Sequence, residues 1–163
     1  MIEIREATAE DAPQIAAAHH AGWRYAYTEL LPADHWETDT VERRTKRWAQ
    51  RLAAGDPVGW PMVSVVDGVV VGFAQAGPAR TKHDLAPVCD LALWSMYVAP
   101  EHQGTGAGTA LLRACLPPGL PAQLWVAHPN PRAQGFYSKH GFTAEGALFV
   151  DDHGITEIRM VRR

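Results

Sequence analysis

Apolar and polar residues alternate at the start of the chain and then change to a helical period. Residues 2 to 6, IEIRE, alternate with a period of two, which predicts a strand. An alanine-rich helix is predicted to follow as far as about Tyr27. Thr8 with Asp11 three residues later matches the capping box at a helix start. A second helix is predicted from about Thr38 to Ala54, where apolar residues recur on one helix face.

The middle of the chain is predicted to form strands. Residues 62–77, MVSVVDGVVVGFAQAG, contain two apolar runs around Asp67-Gly68, a strong signal for a hairpin. Residues 88–99, VCDLALWSMYVA, are almost wholly apolar, which predicts a central strand buried on both faces. Three further strands are predicted at 122–127, 142–150 and 155–161.

Two short helices are predicted among the later strands. One follows a glycine-rich loop and runs to about Cys115, and the other begins near Asn130 and Pro131 and ends at Gly141. The element order is therefore β-α-α-β-β-β-α-β-α-β-β, which predicts an α/β or α+β fold. About seven strands in a mixed, mostly antiparallel sheet are flanked by about four helices. The 163 residues are expected to form one domain, 1–163.

Composition and charge exclude several classes of protein. Apolar residues make up 47% and charged residues 20% of the chain, as in a globular protein. The net charge of −3 argues against nucleic acid as a partner. The start of the chain lacks the apolar core of a signal peptide, and no apolar run reaches the ~20 residues of a membrane span. We therefore expect a cytoplasmic protein without a membrane partner.

Cysteine and histidine positions do not predict a metal site. Cys89 and Cys115 are isolated, and their scarcity fits a reducing compartment. Metal-ligand spacing is also missing from the histidines, so most are expected at the surface or in caps. That group comprises His19, His20, His83, His102, His140 and His153.

Three glycines at alternate positions, Gly104, Gly106 and Gly108, separate the apolar strand from the next helix. The amides at a helix start lack intrahelical partners and lie at the positive end of the helix dipole, so they favour an anion. Glycines let the backbone approach phosphate oxygens closely, which predicts a phosphate or pyrophosphate site. The dinucleotide pattern fails because Thr109 stands where a glycine is needed, and no P-loop Gly-Lys-Ser/Thr is present. The alternative is a glycine turn that only permits tight packing.

The run Gln103-Gly104-Thr105-Gly106-Ala107-Gly108, or Q-x-x-G-x-G, resembles the acyl-CoA-binding motif of the GCN5-related N-acetyltransferase (GNAT) superfamily. A second element is similar to that family in its spacing and comprises Asn130, Phe136, Tyr137, Gly141 and Phe142. The order of the earlier elements also resembles the family. The resemblance implies the GNAT fold, a single N-acetyltransferase domain with a splayed central sheet.

The resemblance also implies acetyl-CoA as cosubstrate and no metal. It places the pyrophosphate on the amides of residues 104–109 and the pantetheine arm along the backbone of residues 96–98. The residues implied in cofactor binding are Met96, Tyr97, Val98, Gln103, Gly104, Thr105, Gly106, Ala107, Gly108, Thr109, Asn130 and Tyr137.

Two residues acquire catalytic roles from the resemblance. Tyr137 stands where many family members carry a tyrosine aimed at the thioester sulfur, and a tyrosine of ordinary pKa, about 10, has a proton to donate at neutral pH. The N–H of Val98 is the implied donor to the oxyanion. The alternative for Tyr137 is a core tyrosine that packs beside Phe136. The acetyl group is expected to pass directly to the amine without an acyl-enzyme.

The general base is left open by the sequence. Many relatives carry a glutamate five residues before the position of Tyr97, and here that residue is Ala92. Asp90, Glu29 and His128 are the alternatives, and each of them also has an ordinary structural explanation. Water is a fourth route for the proton.

The acceptor is expected to be a primary amine on a small molecule or a peptide. Tyr27, Glu29 and Trp36 fall in the region that covers the acceptor site in relatives, and His128 follows the strand at the splay. These four residues are the predicted acceptor-binding set. The alternative is that the aromatic residues anchor the helices on the sheet.

Two function classes remain open at this stage. The first is an acetyl-CoA-dependent N-acetyltransferase, and the second is a non-catalytic acyl-CoA-binding or regulatory module of the same fold. Ala92 favours the module, whereas Tyr137 and Asn130 favour the enzyme. The last strand, GITEIRMVRR, is predicted at a sheet edge, where it would pair across a two-fold axis in a homodimer.

Overall fold

The computed structural model describes residues 1–55 and 58–163, which include seven strands and five helices. The strands are β1 (Ile2–Glu6), β2 (Met62–Val66), β3 (Val69–Pro78), β4 (Leu91–Val98), β5 (Ala122–Ala127), β6 (Thr143–Val150) and β7 (Thr156–Arg162). The helices are α1 (Ala12–Tyr27), α2 (His35–Thr38), α3 (Val41–Ala54), α4 (Ala107–Cys115) and α5 (Pro131–Lys139).

The strands form one mixed sheet in the order β1-β2-β3-β4-β5-β7-β6. β4 and β5 are parallel, and their ladder joins Ala92 with Gln123 and Leu93 with Leu124. Pairs β1–β2, β2–β3, β5–β7 and β6–β7 are antiparallel. The predicted fold class, a mostly antiparallel sheet flanked by about four helices, is confirmed.

The chain divides into two compact units. The first comprises residues 1–75 and 95–115, and the second comprises residues 76–94 and 116–163. In the first unit, α1 and α3 cover a core in which Ile15, Val63 and Phe73 are fully buried. This burial supplies most of the stability of the two helices, since an isolated helix of this length is marginal.

The second unit holds a buried arginine, Arg162. Arg162 on β7 donates through Nε to the carbonyl of Leu120 at 2.9 Å and through Nη2 to that of Pro117 at 3.0 Å. Its guanidinium lies 4.9 Å from the ring centroid of Phe142. Arg162 therefore satisfies the carbonyls of the proline-rich turn that follows α4.

A second set of hydrogen bonds in this unit fixes the loop of residues 79–90. The buried Gln123 accepts at Oε1 from the backbone N–H groups of Val88 and Cys89, at 2.7 and 3.3 Å. Arg159 donates to the carbonyl of Ala86 at 2.7 Å and to Glu145 at 2.7 Å. The loop before β4 is thus tied to β5 and β7.

The capping prediction at the start of the chain is confirmed. Asp11 accepts at Oδ2 from the backbone N–H of Thr8 at 2.7 Å, in a 3₁₀ turn that leads into α1. Arg5 on β1 donates to both oxygens of the same carboxylate, at 2.7 and 2.8 Å. These hydrogen bonds, led by those from Arg5, lower the pKa of Asp11 to about 2.

We expect Asp11→Asn to destabilise the protein by about 1 kcal/mol at pH 7, because the charged partner of Arg5 is lost. The effect is no larger because the side chain of Arg5 is partly exposed and solvent weakens the ion pair. The folded pKa is depressed, so the contribution is complete above the ordinary pKa of 3.8 and disappears as the pH falls through about 2. Urea unfolding at both pH values measures the difference. Glu10→Gln, at an exposed neighbour, is the control. A gap between wild type and Asp11→Asn that is as large at pH 2 as at pH 7 would contradict this account.

The start of the second helix differs from its prediction. α3 begins at Val41 because the hydroxyl of Thr40 accepts from the N–H of Arg43 at 3.3 Å and caps the helix there. Residues His35–Thr38 form the separate short helix α2. Gly55 ends α3 with a φ of 67°, as the sequence predicts.

The prediction that residues 88–99 are buried on both faces is wrong. β4 begins at Leu91, and within it Ala92 and Leu93 are buried, whereas Trp94 to Val98 are partly exposed. An apolar run therefore does not by itself show that a strand is buried, since large apolar side chains such as Trp94, Met96 and Tyr97 can stay partly exposed to solvent.

The last strand is not at the sheet edge as predicted. β7 lies between β5 and β6, so β6 is the edge strand on that side. The chain returns through the turn after β6 and inserts β7 beside β5, with Ala122 opposite Arg162. An open edge at β7 therefore no longer supports the expectation of a homodimer.

No helix in the described part of the chain has the length and apolar character to span a bilayer.

Candidate active site

The glycine-rich loop joins β4 to α4 through two residues with left-handed backbone. Gly104 has a φ of 81° and Gly106 a φ of 99°, conformations that other residues rarely adopt. A Cβ at Gly104 would meet nothing within 4 Å, and one at Gly106 would meet the Cδ1 atom of Ile2 at 3.9 Å. The glycines therefore leave open space beside the loop, so tight packing alone does not account for them.

The start of α4 supplies further backbone amides next to this loop. The N–H of Ala110 donates to the carbonyl of Gly106 at 3.0 Å. By helix geometry the amides of Ala107 and Gly108 have no intrahelical acceptor, and no acidic side chain stands in the first turn. Ala107 is fully buried and anchors this end of the helix. The arrangement suits a phosphate or pyrophosphate.

Gln103 links this loop to the end of β4. Its Nε2 donates to the carbonyl of Val98 at 3.2 Å, and Thr105 donates through its hydroxyl to the carbonyl of His102 at 2.7 Å. The Oε1 atom of Gln103 is buried and has no hydrogen-bond partner among residues 1–55 and 58–163. The structure therefore brings together two predicted cofactor-binding elements, residues 96–98 and 103–109.

Two glycines allow close packing around the end of β4. A Cβ at Gly22 on α1 would lie 3.1 Å from Cδ1 of Tyr97, and a Cβ at Gly72 on β3 would lie 2.8 Å from the carbonyl oxygen of Tyr97. The second contact is too short for real atoms, so glycine is required there. The backbone of Tyr97 and Val98 is therefore held between neighbours that have no side chain.

The expectation of a surface or cap position for His19 is wrong, because this residue is half buried within α1 and packs among aromatic rings. The indole N–H of Trp48 donates to its Nδ1 at 3.2 Å, and the rings of Phe73 and Tyr97 lie 5.0 and 4.9 Å away. Burial, with the nearby charge of Arg44, lowers the pKa of His19 to about 3. The neutral ring accepts at Nδ1 and so carries its proton at Nε2.

Three of the predicted acceptor-binding residues lie at or after the end of α1. The ring of Tyr27 lies 4.2 Å from that of Trp23, and the guanidinium of Arg24 lies 5.7 Å from the ring of Trp36. Glu29 is exposed. Tyr27 and Trp36 are each half buried, so they provide aromatic surface with an accessible part.

The remaining predicted residues lie around α5 in the second unit. Asn130 accepts at Oδ1 from the N–H of Ala133 at 3.1 Å and caps the helix. Tyr137 is 8% exposed, and its ring centroid lies 5.3 Å from that of Phe136 and 6.0 Å from that of Phe142. His128 is exposed, and its Nδ1 lies 3.2 Å from the side-chain nitrogen of Gln134.

The structure does not single out a general base. Ala92 is buried, so the position of the missing glutamate carries no proton acceptor. Asp90 is exposed, and its carbonyl accepts from the N–H of Ala79 at 2.8 Å. The contacts of Asp90 therefore give no reason to prefer it as the base.

The two cysteines have the properties of structural residues. Both are free thiols, and burial raises the pKa of Cys115 to about 11. Burial also raises the pKa of Cys89. A raised pKa disfavours the nucleophilic thiolate. Within the described residues, no group of three or more His, Cys, Asp or Glu side chains is placed to hold a metal ion.

Sequence reasoning missed the residues that shape the end of β4. His19 and Gly22 on α1 and Gly72 on β3 contact Tyr97, and only the fold brings these two segments to the end of β4. A glycine inside an amphipathic helix is the one local signal for such a close approach.

Comparison with known proteins gives concordant matches. Residues 19–142 match the model of the acetyltransferase (GNAT) family. The chain is 33% identical over 157 residues to a probable N-acetyltransferase of Mycobacterium tuberculosis, which covers 91% of this chain and 84% of that protein. It is 30% identical over 161 residues to phosphinothricin N-acetyltransferase of Streptomyces viridochromogenes, over 90% and 77% of the two chains.

Among solved structures, the fold is similar to that of the PaiA N-acetyltransferase from Thermoplasma acidophilum, determined in complex with coenzyme A. The TM-score is 0.76 at 19% sequence identity, and the match covers 100% of this chain and 99% of that one. At that identity the likeness concerns the fold.

Proposed function

Because the chain belongs to the acetyltransferase (GNAT) family and is an N-acetyltransferase, we propose that it transfers an acetyl group from acetyl-CoA to a primary amine. The amine attacks the thioester directly in a ternary complex. One observation carries the proposal: the left-handed Gly104 and Gly106 leave open space beside the start of α4, where an anion can approach the backbone amides. The family match covers parts of both compact units, which supports one catalytic domain over residues 1–163.

The cofactor is assigned to the loop and the strand before it. The amides of Gly104 to Thr109 bind the pyrophosphate, and the pantetheine arm follows the backbone of Met96, Tyr97 and Val98. The bond from Gln103 to the carbonyl of Val98 supports this assignment, since it fixes the strand end against the loop. The N–H of Val98 is the proposed oxyanion donor. Asn130 caps α5 and keeps Tyr137 in register on that helix.

The chemical step then needs two proton movements. The neutral amine nitrogen attacks the thioester carbon, the C–S bond breaks, and the electron pair leaves on the sulfur of CoA. Tyr137 donates its phenolic proton to that sulfur. The attacking nitrogen loses a proton to water or to one of Asp90, Glu29 and His128. Because Ala92 replaces the usual glutamate, water is the proposed route.

The acceptor is proposed to lie against Tyr27, Glu29, Trp36 and His128. An amine cation interacts favourably with aromatic faces and with a carboxylate, and both are present in this set. The relative that acts on phosphinothricin supports a small molecule over a peptide.

An acceptor panel tests these assignments. Release of free CoA thiol is measured with a panel of small primary amines and of peptides that carry a free amine. We expect turnover of small primary amines. CoA binding without turnover on any amine would favour the non-catalytic module. Turnover of peptides alone would exclude a small-molecule acceptor.

Two further proposals concern the setting of the enzyme. A cytoplasmic location fits the two free cysteines, and fractionation of the source cells tests it. A homodimer remains a proposal, with β6 rather than β7 as the open edge. Sedimentation at several concentrations measures the oligomeric state.

A further inference from the structure

The segment of residues 28–40, which we call the strap, connects α1 to α3 and includes Trp36 and Glu29. Its last part is held at Asp39 by both flanking helices. Arg44 on α3 donates through Nε to Oδ1 of Asp39 at 2.7 Å and through Nη2 to Oδ2 at 2.9 Å. The Nε2 atom of His20 on α1 lies 2.9 Å from the carbonyl oxygen of Asp39, to which it donates.

The pair of Arg44 and Asp39 is well shielded from water. The two side chains are 11% and 13% exposed, and the guanidinium meets the carboxylate through two parallel bonds. Burial alone raises the pKa of Asp39, but the bonds and charge of Arg44 outweigh it, so this pKa lies below its ordinary value. The carboxylate therefore stays ionised and bonded through the neutral range.

Arg44 also contacts the aromatic pair on α1. Its guanidinium lies 5.4 Å from the ring centroid of Trp23, and that ring lies 4.2 Å from Tyr27. One side chain thus joins the end of the strap to the aromatic face that includes Tyr27. A planar guanidinium can make both contacts at once, whereas a lysine ammonium cannot.

Other contacts hold the middle of the strap in the same position. Arg43 donates to the carbonyl of Thr38 at 2.9 Å, and the ring of Trp36 contacts both the guanidinium of Arg24 and the ring of His35. These contacts are more exposed than the bonds between Arg44 and Asp39. The bonds of Arg44 are therefore the best shielded of the contacts that fix the strap.

We propose that Arg44 is a positioning residue for acceptor binding, acting through Asp39 on the strap and through Trp23 on Tyr27. This inference rests on the proposed function, which places the acceptor against Tyr27 and Trp36. It adds that the wall of the acceptor site is preorganised by a largely shielded ion pair between α3 and the strap, distant in sequence from the cofactor loop. Arg44 does not touch the reacting atoms.

Steady-state kinetics of Arg44→Met test the proposal. We expect the KM for the acceptor to rise about tenfold, with the KM for acetyl-CoA and kcat at saturation within about twofold of wild type. Arg47→Met is the matched control, since Arg47 is exposed one turn along α3 and makes no ion pair or ring contact in the described structure. It should leave all three constants unchanged.

Two further variants separate positioning from folding. Arg44→Lys keeps the charge without the paired bonds, so its acceptor KM should fall between those of wild type and Arg44→Met. Asp39→Asn combined with Arg44→Met should cost less than the sum of the two single effects. CoA affinity, measured by calorimetry, should stay within twofold for every variant that folds.

An unchanged acceptor KM in Arg44→Met or Arg44→Lys would overturn the positioning role while leaving the proposed function intact. Parallel losses in acceptor KM and CoA affinity would also overturn it, since they indicate a general structural role. A wild-type protein that binds CoA but acetylates no amine would instead remove the proposed function and this inference together.

Discussion

Replacing Gly106 with alanine is expected to weaken CoA binding about 100-fold while the protein stays folded. The added Cβ enters open space and meets Ile2 only at 3.9 Å, so no internal clash forces unfolding. It forces a residue with a side chain into a φ of 99°, at a cost of about 1–2 kcal/mol. Rotation of the backbone to relieve that strain turns amides away from the pyrophosphate, and each charged hydrogen bond lost costs about 1.5–3 kcal/mol.

Gly119→Ala is the matched control for this variant. Gly119 has a φ of 84°, and a Cβ there would also meet nothing within 4 Å. Both variants should lose similar stability in urea, since both strain the backbone in the same way. Calorimetry with CoA should separate them, because only Gly106 belongs to the proposed cradle. Equal CoA affinity in the two variants would mean that the loop does not bind the cofactor.

Tyr137→Phe is expected to lower kcat about 100-fold and to leave CoA affinity within about twofold. The change removes one phenolic proton, and the loss of a general acid typically costs at least that factor. Most of the buried ring surface is retained against Phe136 and Phe142, so the fold should persist. The decrease should be largest for thioesters whose leaving thiolate is most basic.

Tyr25→Phe provides the control for the removal of a hydroxyl, because Tyr25 is 57% exposed on α1. It should retain wild-type kcat. If Tyr137→Phe also retains wild-type kcat, Tyr137 is a core tyrosine and the thiolate leaves without an acid. A loss of CoA affinity equal to the loss of kcat would assign Tyr137 to cofactor binding alone.

Local signals were sufficient to predict most of the fold. The turn at Asp67-Gly68 has φ values of 50° and 81°, as a two-residue hairpin requires, and β5 coincides with the predicted residues 122–127. The predictions were wrong where contacts between residues distant in sequence determine the structure. The place of β7 between β5 and β6 depends on strand pairing, which alternation along one strand does not encode.

The backbone part of the candidate site, the glycine-rich loop, was predictable from the sequence, whereas most of the side-chain contacts around the end of β4 were not. Gly104 and Gly106 are visible in the sequence because glycine marks a backbone that other residues disfavour. By contrast, His19 and Tyr97 are 78 residues apart in the sequence, and their ring contact of 4.9 Å exists only in the folded chain. The same holds for Gly72 beside Tyr97 and for Arg44 beside Trp23.

The most direct test of the account is a titration of the ¹⁵N-labelled protein with CoA and, separately, with 4′-phosphopantetheine, which lacks the pyrophosphate. The account predicts that CoA shifts the amide signals of Gly104 to Thr109 strongly and that phosphopantetheine shifts them weakly while still perturbing residues 96–98. Saturation with CoA that leaves the amides of residues 104–109 unmoved would contradict it.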